Sequence, residues 1–440
     1  MCGAFFALLF SNGIIGGTLG SKFSHYYCAL LGNITMIVGL LSFILPVPVE
    51  LSLGLFTVGV GFWTPNFMLL TGQMYEAKDA KRFNAYLIVY ACMNLGIMLG
   101  SFGSTYLVTK IGYTNSIGFA GLFTMLAGVL YHAIYKRLPF ITSSHCREQL
   151  TQHLPHKAIV IIPLWLAMIF VNALLILHHD ACFTVVIALF ALALGWLLLQ
   201  AIRHYRLKRE SALFLFIALS LVGIVFWSLF NILPSALALF INDYVNRVMF
   251  GHTIAASTFM GINGAFIVLI ALSYMALTIH YPLKVSSRIG VGAGTMVMGL
   301  GYAALWLAVM INPSMINIGI GWIILSYFLQ SLGEMGLGPL SWSMVGEFGP
   351  TPLQGFMMGY SQLITGVSGV FAAFLAKVMV STGSVEPTAI AHHFTTVFGI
   401  FALVALGFGL LPFLIKMTPK APWWQFFSDL KNKLKNRLHP

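Results

Sequence analysis

Apolar residues run along this chain in long blocks separated by short polar connections. Thirteen blocks can be marked, at 4–20, 28–45, 51–70, 85–108, 117–134, 158–177, 182–202, 212–233, 253–278, 290–311, 319–340, 356–380 and 394–415. About 20 residues rising about 1.5 Å each cross the 30 Å hydrocarbon core of a bilayer as a helix. The pattern therefore predicts an all-α polytopic membrane protein with 13 transmembrane helices. Alternating the blocks across the bilayer puts 20 of the 23 basic residues on one side, with Lys110 and Arg247 on the other and Lys377 inside a block. That bias assigns the basic side to the cytoplasm. It also supports the block count, because one helix more or fewer would scramble the alternation.

Composition agrees, with 59% hydrophobic and 8% charged residues, against about 25% charged in a soluble domain. Topology accounts for the net charge of +12, and no nucleic-acid partner is needed. The five cysteines are scattered, with no Cys-x-x-Cys pair and no histidine at ligand spacing, so they read as core or loop thiols. No metal site is expected. Residues 1–20 carry no basic leader and read as a membrane helix rather than a signal peptide.

The basic loop at 135–157, which holds His145, His153 and His156, marks the midpoint. Two nearly featureless blocks follow it and are expected at the lipid-facing periphery. The expected organisation is an amino-terminal half at 1–134 with five helices, then a loop and inserted helix pair at 135–210. A six-helix half at 211–416 and a basic tail at 417–440 complete it. An odd helix count puts the termini on opposite faces, which leads to the expectation that a first core helix is missing before Met1. With that helix restored, two six-helix halves around a midplane site give the major facilitator plan. The tail has aromatics from Trp423 to Phe427 followed by spaced lysines, and is expected to form an amphipathic helix on the inner leaflet.

One residue breaks the apolar pattern in depth. Glu334 is the only acidic residue deep in any block. A lone acid at the bilayer centre costs about 2.5–3.5 kcal/mol on insertion scales and usually lines a substrate or ion path. The alternative is a structural carboxylate bonded to a neighbouring helix. Helical spacing groups Tyr327, Gln330, Ser331, Gly338 and Ser341 with Glu334. Tyr86 and Tyr90 share a face with Asn94. Asn263, Asn231 with Pro234, and Pro65 with Asn66 place further polar groups or helix breakers in the blocks. Glycines at 96–103 and 355–369 read as close helix contacts, and Lys377 reads as a snorkelling residue. No nucleophile–base pair, nucleotide cradle or metal set is present, so no enzyme and no cofactor is expected. Secondary transport remains, driven by an ion gradient or downhill, with Glu334 as gradient sensor or anchor for a charged substrate.

The run from Leu325 to Glu334, Leu-Ser-Tyr-Phe-Leu-Gln-Ser-Leu-Gly-Glu, resembles the proton-dependent oligopeptide transporters, the peptide branch of the major facilitator superfamily. So do Ser343-Met344-Val345, the run from Pro352 to Gly359, and Phe226-Trp227 through Pro234-Ser235 to Phe240. Pro65-Asn66 followed by Gly72 and Tyr75, and Tyr90 through Asn94-Leu95-Gly96, complete the match. The resemblance covers nearly the whole chain, and its inserted helix pair is similar to that of bacterial members. It implies a multi-pass protein of the bacterial inner membrane with its carboxy terminus in the cytoplasm. It also implies a di- or tripeptide site in a central cavity open alternately to each side. By position, Glu334 would bind the peptide amino terminus, Asn94 and Asn263 its backbone, and Tyr90 would line the pocket. Pro65, Asn66, Pro234 and Asp243 would be structural or gating.

The departures are specific. The family's Glu-x-x-Glu-Arg motif lies ahead of residue 1, and its lysine before Pro-Asn is Thr64 here. Its tryptophan after Met-Met-Gly-x is Ser361, and its acid at the start of the second half falls on Asn242, beside Asp243. Gly16-Gly17 persists, but the acid expected after it is absent and Lys22 remains. Peptide and proton are thus the substrates the resemblance implies, with proton coupling left open. The alternatives are a carrier for another small solute, including a cationic one, and a transport-dead remnant acting as a membrane partner. The sequence gives no oligomeric state.

Overall fold

The computed structural model describes residues 2–75, 81–135, 161–208, 210–249, 251–256, 258–280, 286–315, 317–380 and 386–415. The basic loop after residue 135 and the tail expected to be amphipathic lie outside the described residues. The first half contains α1 (Cys2–Ser11), α2 (Gly13–Lys22), α3 (His25–Ser42), α4 (Val49–Gln73), α5 (Lys81–Ile111) and α6 (Tyr113–Tyr135). The inserted pair is α7 (Ile161–Leu177) and α8 (His179–Lys208). The second half contains α9 (Ala212–Phe230), α10 (Ala238–Tyr244), α11 (Thr258–His280), α12 (Ser287–Met310), α13 (Ile320–Phe348), α14 (Gln354–Val380) and α15 (Pro387–Leu414). Among the described residues, eleven helical stretches are long and apolar enough to cross a membrane. Helix α7 has 17 residues, and α13 has 29 with a polar middle.

The helix breakers are absorbed in three ways. Asn12 interrupts the first block between α1 and α2. Its amide donates to Leu8 O at 2.9 Å and to Asn172 Oδ1 at 2.8 Å, and Thr57 donates to the same Oδ1 at 3.2 Å. Pro65 sits inside an unbroken α4, where it cannot donate to Gly61. The backbone of Gly16 packs against that freed carbonyl, so closely that a Cβ on Gly16 would lie 2.1 Å from it. Pro234 falls in a π-turn, Leu233–Leu237, that joins α9 to α10. Beside this turn Tyr302 donates to Leu229 O at 2.7 Å.

The Asn12–Asn172–Thr57 cluster adds one polar tie to the two nearly featureless inserted helices. Asn172 is buried and ties α7 to α1 and α4. A single amide escapes a search for polar stripes in 17 apolar residues, but in hydrocarbon it must find partners. Each helix of the pair has one face packed on the bundle, through Met168 and Ile176 and through Val186 and Leu197, and an opposite face exposed as at a lipid boundary, with Phe170 and Leu192.

Small residues let the halves meet. A Cβ on Gly17 of α2 would lie 2.3 Å from Gly355 O of α14, and one on Gly359 would lie 2.4 Å from Gly13 O. The glycines from Gly355 to Gly366 are therefore close contacts, as their spacing implied. Those at 96–103 are not. Gly96, Gly100 and Gly103 have no neighbouring atom within 4 Å of a Cβ. Helix α5 turns its other face to α11, where Gly264 packs so tightly that a Cβ would sit 2.7 Å from Asn94 O. These contacts separate two substitutions of equal size. Gly17→Val must displace a backbone carbonyl, and overpacking of this kind costs about 1–3 kcal/mol. The detergent-solubilised protein should melt several degrees lower, while Gly96→Val should melt within a degree of the parent. Equal melting temperatures would show that α2 and α14 do not pack in this way.

Candidate functional site

Helix α13 extends past the apolar block that announces it, to Phe348, so Glu334 is the central residue of its 29. Helices α5 and α13 pack antiparallel, and their contacts recur every four residues along a shared seam. Arg82 lies against Gly346, Tyr86 against Trp342 at 6.1 Å between ring centroids, and Tyr90 against Trp342 at 5.5 Å. Tyr90 also covers Gly338, where a Cβ would lie 2.5 Å from its ring. The four-residue rhythm is the helical repeat seen from one face.

At the inner end of this ladder stands Glu334, with 3% of its surface exposed. The Tyr90 hydroxyl donates to Oε1. Asn263 of α11 donates its amide to Oε2 at 3.2 Å and to Ser331 Oγ at 2.8 Å. Asn94, one turn beyond Tyr90, donates to Tyr90 O at 3.0 Å. The amide oxygens of Asn94 and Asn263 are buried and have no hydrogen-bond partner among the described residues. The carboxylate is thus held by two neutral donors and flanked by two unused acceptors, a set that suits an ammonium or other N–H donor. The sole ion pair among the described residues is His179–Asp180, far along the chain on an exposed helix end.

The structure brings together Glu334, Tyr90, Asn263 and Asn94, the four residues expected to touch substrate. It divides the polar stripe of α13. Ser331 faces the site, whereas Gln330 donates to Ser326 Oγ at 2.8 Å and Ser326 donates to Gly301 O of α12 at 2.8 Å. The remaining expected residues lie elsewhere. Asn66 bonds His25 at 2.6 Å and donates to Gly16 O at 3.0 Å, pinning α2 and α3 to α4. Asp243 is exposed and accepts from Asn242 at 3.0 Å.

Glu334 is buried beneath Tyr90 and Asn263 in this structure, whereas the resemblance implies a central cavity open to one side. The space behind α13, beside Trp227, Val291 and Ser341, is about 10 Å³, room for about one water. A larger groove of about 430 Å³ lies between α3 and α6, lined by Leu30, Ile34, Met125 and Val129, away from the acid. The seam is closed because Tyr90 and Trp342 fill it. Two seam residues escaped the sequence reading, Trp342 and Arg82. The repeat Arg82–Tyr86–Tyr90–Asn94 is the signal for the second, masked by the place of Arg82 in a run of basic residues at a helix start.

A helical bundle with many apolar spans, two halves meeting along glycine contacts and a polar centre defines a multi-pass membrane protein of the major facilitator fold. A family model described as the POT family matches residues 44–397, and the chain belongs to that family. It is 26% identical over 440 residues to dipeptide and tripeptide permease B of Xenorhabdus bovienii (strain SS-2004), covering 96% of this chain and 86% of that protein. It is 27% identical over 434 residues to the permease B of Yersinia enterocolitica, with the same coverage. Among solved structures, a POT family transporter in complex with 5-aminolevulinic acid superposes with a TM-score of 0.72 at 21% identity, covering 94% of this chain and 86% of that one. A peptide transporter POT in complex with sulfate superposes with a TM-score of 0.68 at 20% identity, covering 94% and 84%.

Proposed function

We propose that this chain is a secondary transporter that moves di- and tripeptides across the bacterial inner membrane by alternating access. The carrying observation is the buried centre of α13, where Glu334 meets Tyr90 and Asn263 beside the unpartnered oxygens of Asn94 and Asn263. In this reading the seam between α5 and α13 opens, and a peptide ammonium takes the place of the Tyr90 hydroxyl on Glu334. The amide oxygens of Asn94 and Asn263 accept from backbone N–H groups of the peptide. The names of the permease relatives support this substrate class. The deciding measurement is uptake of labelled Ala-Ala into proteoliposomes, with and without an imposed pH gradient. Saturable uptake carries the reading, and acceleration by an inward proton gradient adds proton coupling. No uptake under either condition sinks it.

A second reading is transport of a small cationic solute. It is favoured by the absence of a cation bonded to Glu334 among the described residues and by Thr64 at the position of the family's lysine. Competition of Ala-Ala uptake by a simple organic amine separates the two, because a cation carrier would prefer the amine.

In this reading the chain forms two halves, 1–134 and 211–416, around the loop and inserted pair at 135–210. The basic side, including the carboxy-terminal tail, is assigned to the cytoplasm from the 20 basic residues it holds. In a cysteine-free background, a membrane-impermeant maleimide applied to spheroplasts should label Arg247→Cys and spare Lys208→Cys. The opposite pattern would invert the topology.

A further inference from the structure

The groove of about 430 Å³ between α3 and α6 plays no part in the proposed peptide path. It falls within the range of about 300–1,000 Å³ that ligand sites occupy. Leu30, Ile34 and Ile37 of α3 form one wall, and Met125 and Val129 of α6 the other. Ile34 and Val129 are exposed, so the groove opens outward. Gly128 leaves its floor clear, where a Cβ would lie 2.0 Å from Asn33 Oδ1. The groove has one polar end, at His132. The Tyr26 hydroxyl is bonded to His132 Nδ1, and Tyr131 stacks on Tyr26 at 5.6 Å between ring centroids, which fixes this turn of α6. With the hydroxyl donating to Nδ1, the ring proton resides on Nε2. That N–H has no hydrogen-bond partner among the described residues, on a side chain that is exposed.

On the topology assigned from the basic residues, α3 begins and α6 ends at the cytoplasmic face. Leu30 and Ile37 then lie about 7 and 18 Å along α3 from that face, and half of the hydrocarbon core is about 15 Å thick. The groove is thus at the depth of the inner-leaflet acyl chains. His132, three residues before the end of α6, is about 5 Å from the same face, at the level of the headgroups. That face also gathers 20 of the 23 basic residues, and a basic cytoplasmic face attracts anionic lipid. We propose that the groove binds one acyl chain of an anionic phospholipid, whose phosphate oxygen accepts from His132 Nε2. The apolar walls hold the chain and the histidine selects the headgroup.

The test is native mass spectrometry of the full chain in detergent, exposed to equimolar dioleoyl-phosphatidylglycerol and dioleoyl-phosphatidylcholine, which share their acyl chains. The parent should retain one phosphatidylglycerol in a saturable site, about fivefold or more over phosphatidylcholine. Ile34→Trp and Val129→Trp fill the groove from exposed positions and should lose that site, whereas Ile88→Trp, at an exposed position on α5, should keep it. His132→Phe should still hold lipid but bring the two headgroups within about twofold. The groove variants leave the Tyr26–His132 bond intact and decide the matter if His132→Phe does not fold. Excess glycerol 1-phosphate should not displace the lipid, and displacement would overturn the proposal in favour of a site for phosphate alone. Equal retention of the two lipids by the parent overturns it. So does a preference that survives filling of the groove, which would belong to the basic face at large. A dimer that Ile34→Trp and Val129→Trp dissolve would give the groove to a second copy and overturn it as well. Lipid retention in detergent does not read transport, so its failure leaves the peptide reading standing.

Discussion

Glu334→Gln should weaken Ala-Ala binding by roughly ten- to more than a hundredfold, the loss of a charge-assisted bond contributing about 1.5–3 kcal/mol. The variant should still insert and fold. Its amide oxygen can accept from Asn263, and its amide nitrogen can donate to the Tyr90 hydroxyl, so both contacts of the native side chain keep a partner. A neutral amide is also easier to bury than a carboxylate. The measurement is a binding titration of Ala-Ala and of its amino-blocked analogue on both proteins. The parent should strongly prefer the free amine, and the variant should bind both weakly and alike.

The same titration weighs the structural alternative. The observed contacts satisfy Glu334 without any ligand, as a carboxylate that only cross-links α5, α11 and α13 would require. Such a cross-link would change stability on replacement and leave the amine preference untouched. A variant that binds Ala-Ala as tightly as the parent, with a lowered melting temperature, would assign Glu334 to architecture.

Much of this centre was legible in the chain. An acid alone among apolar blocks identifies itself, because hydrocarbon leaves it few tolerable positions. Tyr90 and Asn94 follow from four-residue spacing on α5. Asn263 stood out only as an amide at depth, and its place on Glu334 depends on how α11 crosses α13, which no local pattern encodes. The glycines divide for the same reason. Those of α14 meet α1 and α2, whereas Gly96, Gly100 and Gly103 look identical in sequence and face open space. Arg82 was hidden by its own usefulness, since a lysine and arginine at a helix start fit the charge bias that orients the chain. Asn172 was hidden by dilution.

Gly338→Val should cut transport by roughly 5- to 150-fold while leaving substrate binding in place. The closed seam has no room for a side chain there, since a Cβ would lie 2.5 Å from Tyr90 Cζ and 2.7 Å from its hydroxyl. Overpacking costs about 1–3 kcal/mol, and here the cost falls on the closed arrangement alone, because separating α5 from α13 relieves it. A shift of 1.4 kcal/mol changes a population ratio about tenfold, which sets the range. If transport passes through the closed seam, turnover falls with that population. Binding to the opened site should hold or tighten, because Tyr90 is then held away from Glu334. Gly321→Val, on the same helix with no atom within 4 Å of a Cβ, controls for the loss of a helical glycine and should transport within about twofold of the parent. Uptake and equilibrium binding of Ala-Ala, measured on the same proteoliposomes, separate a stalled carrier from a misfolded one. Uptake by Gly338→Val at the parent's rate would show that closure of α5 on α13 is not a step of the cycle.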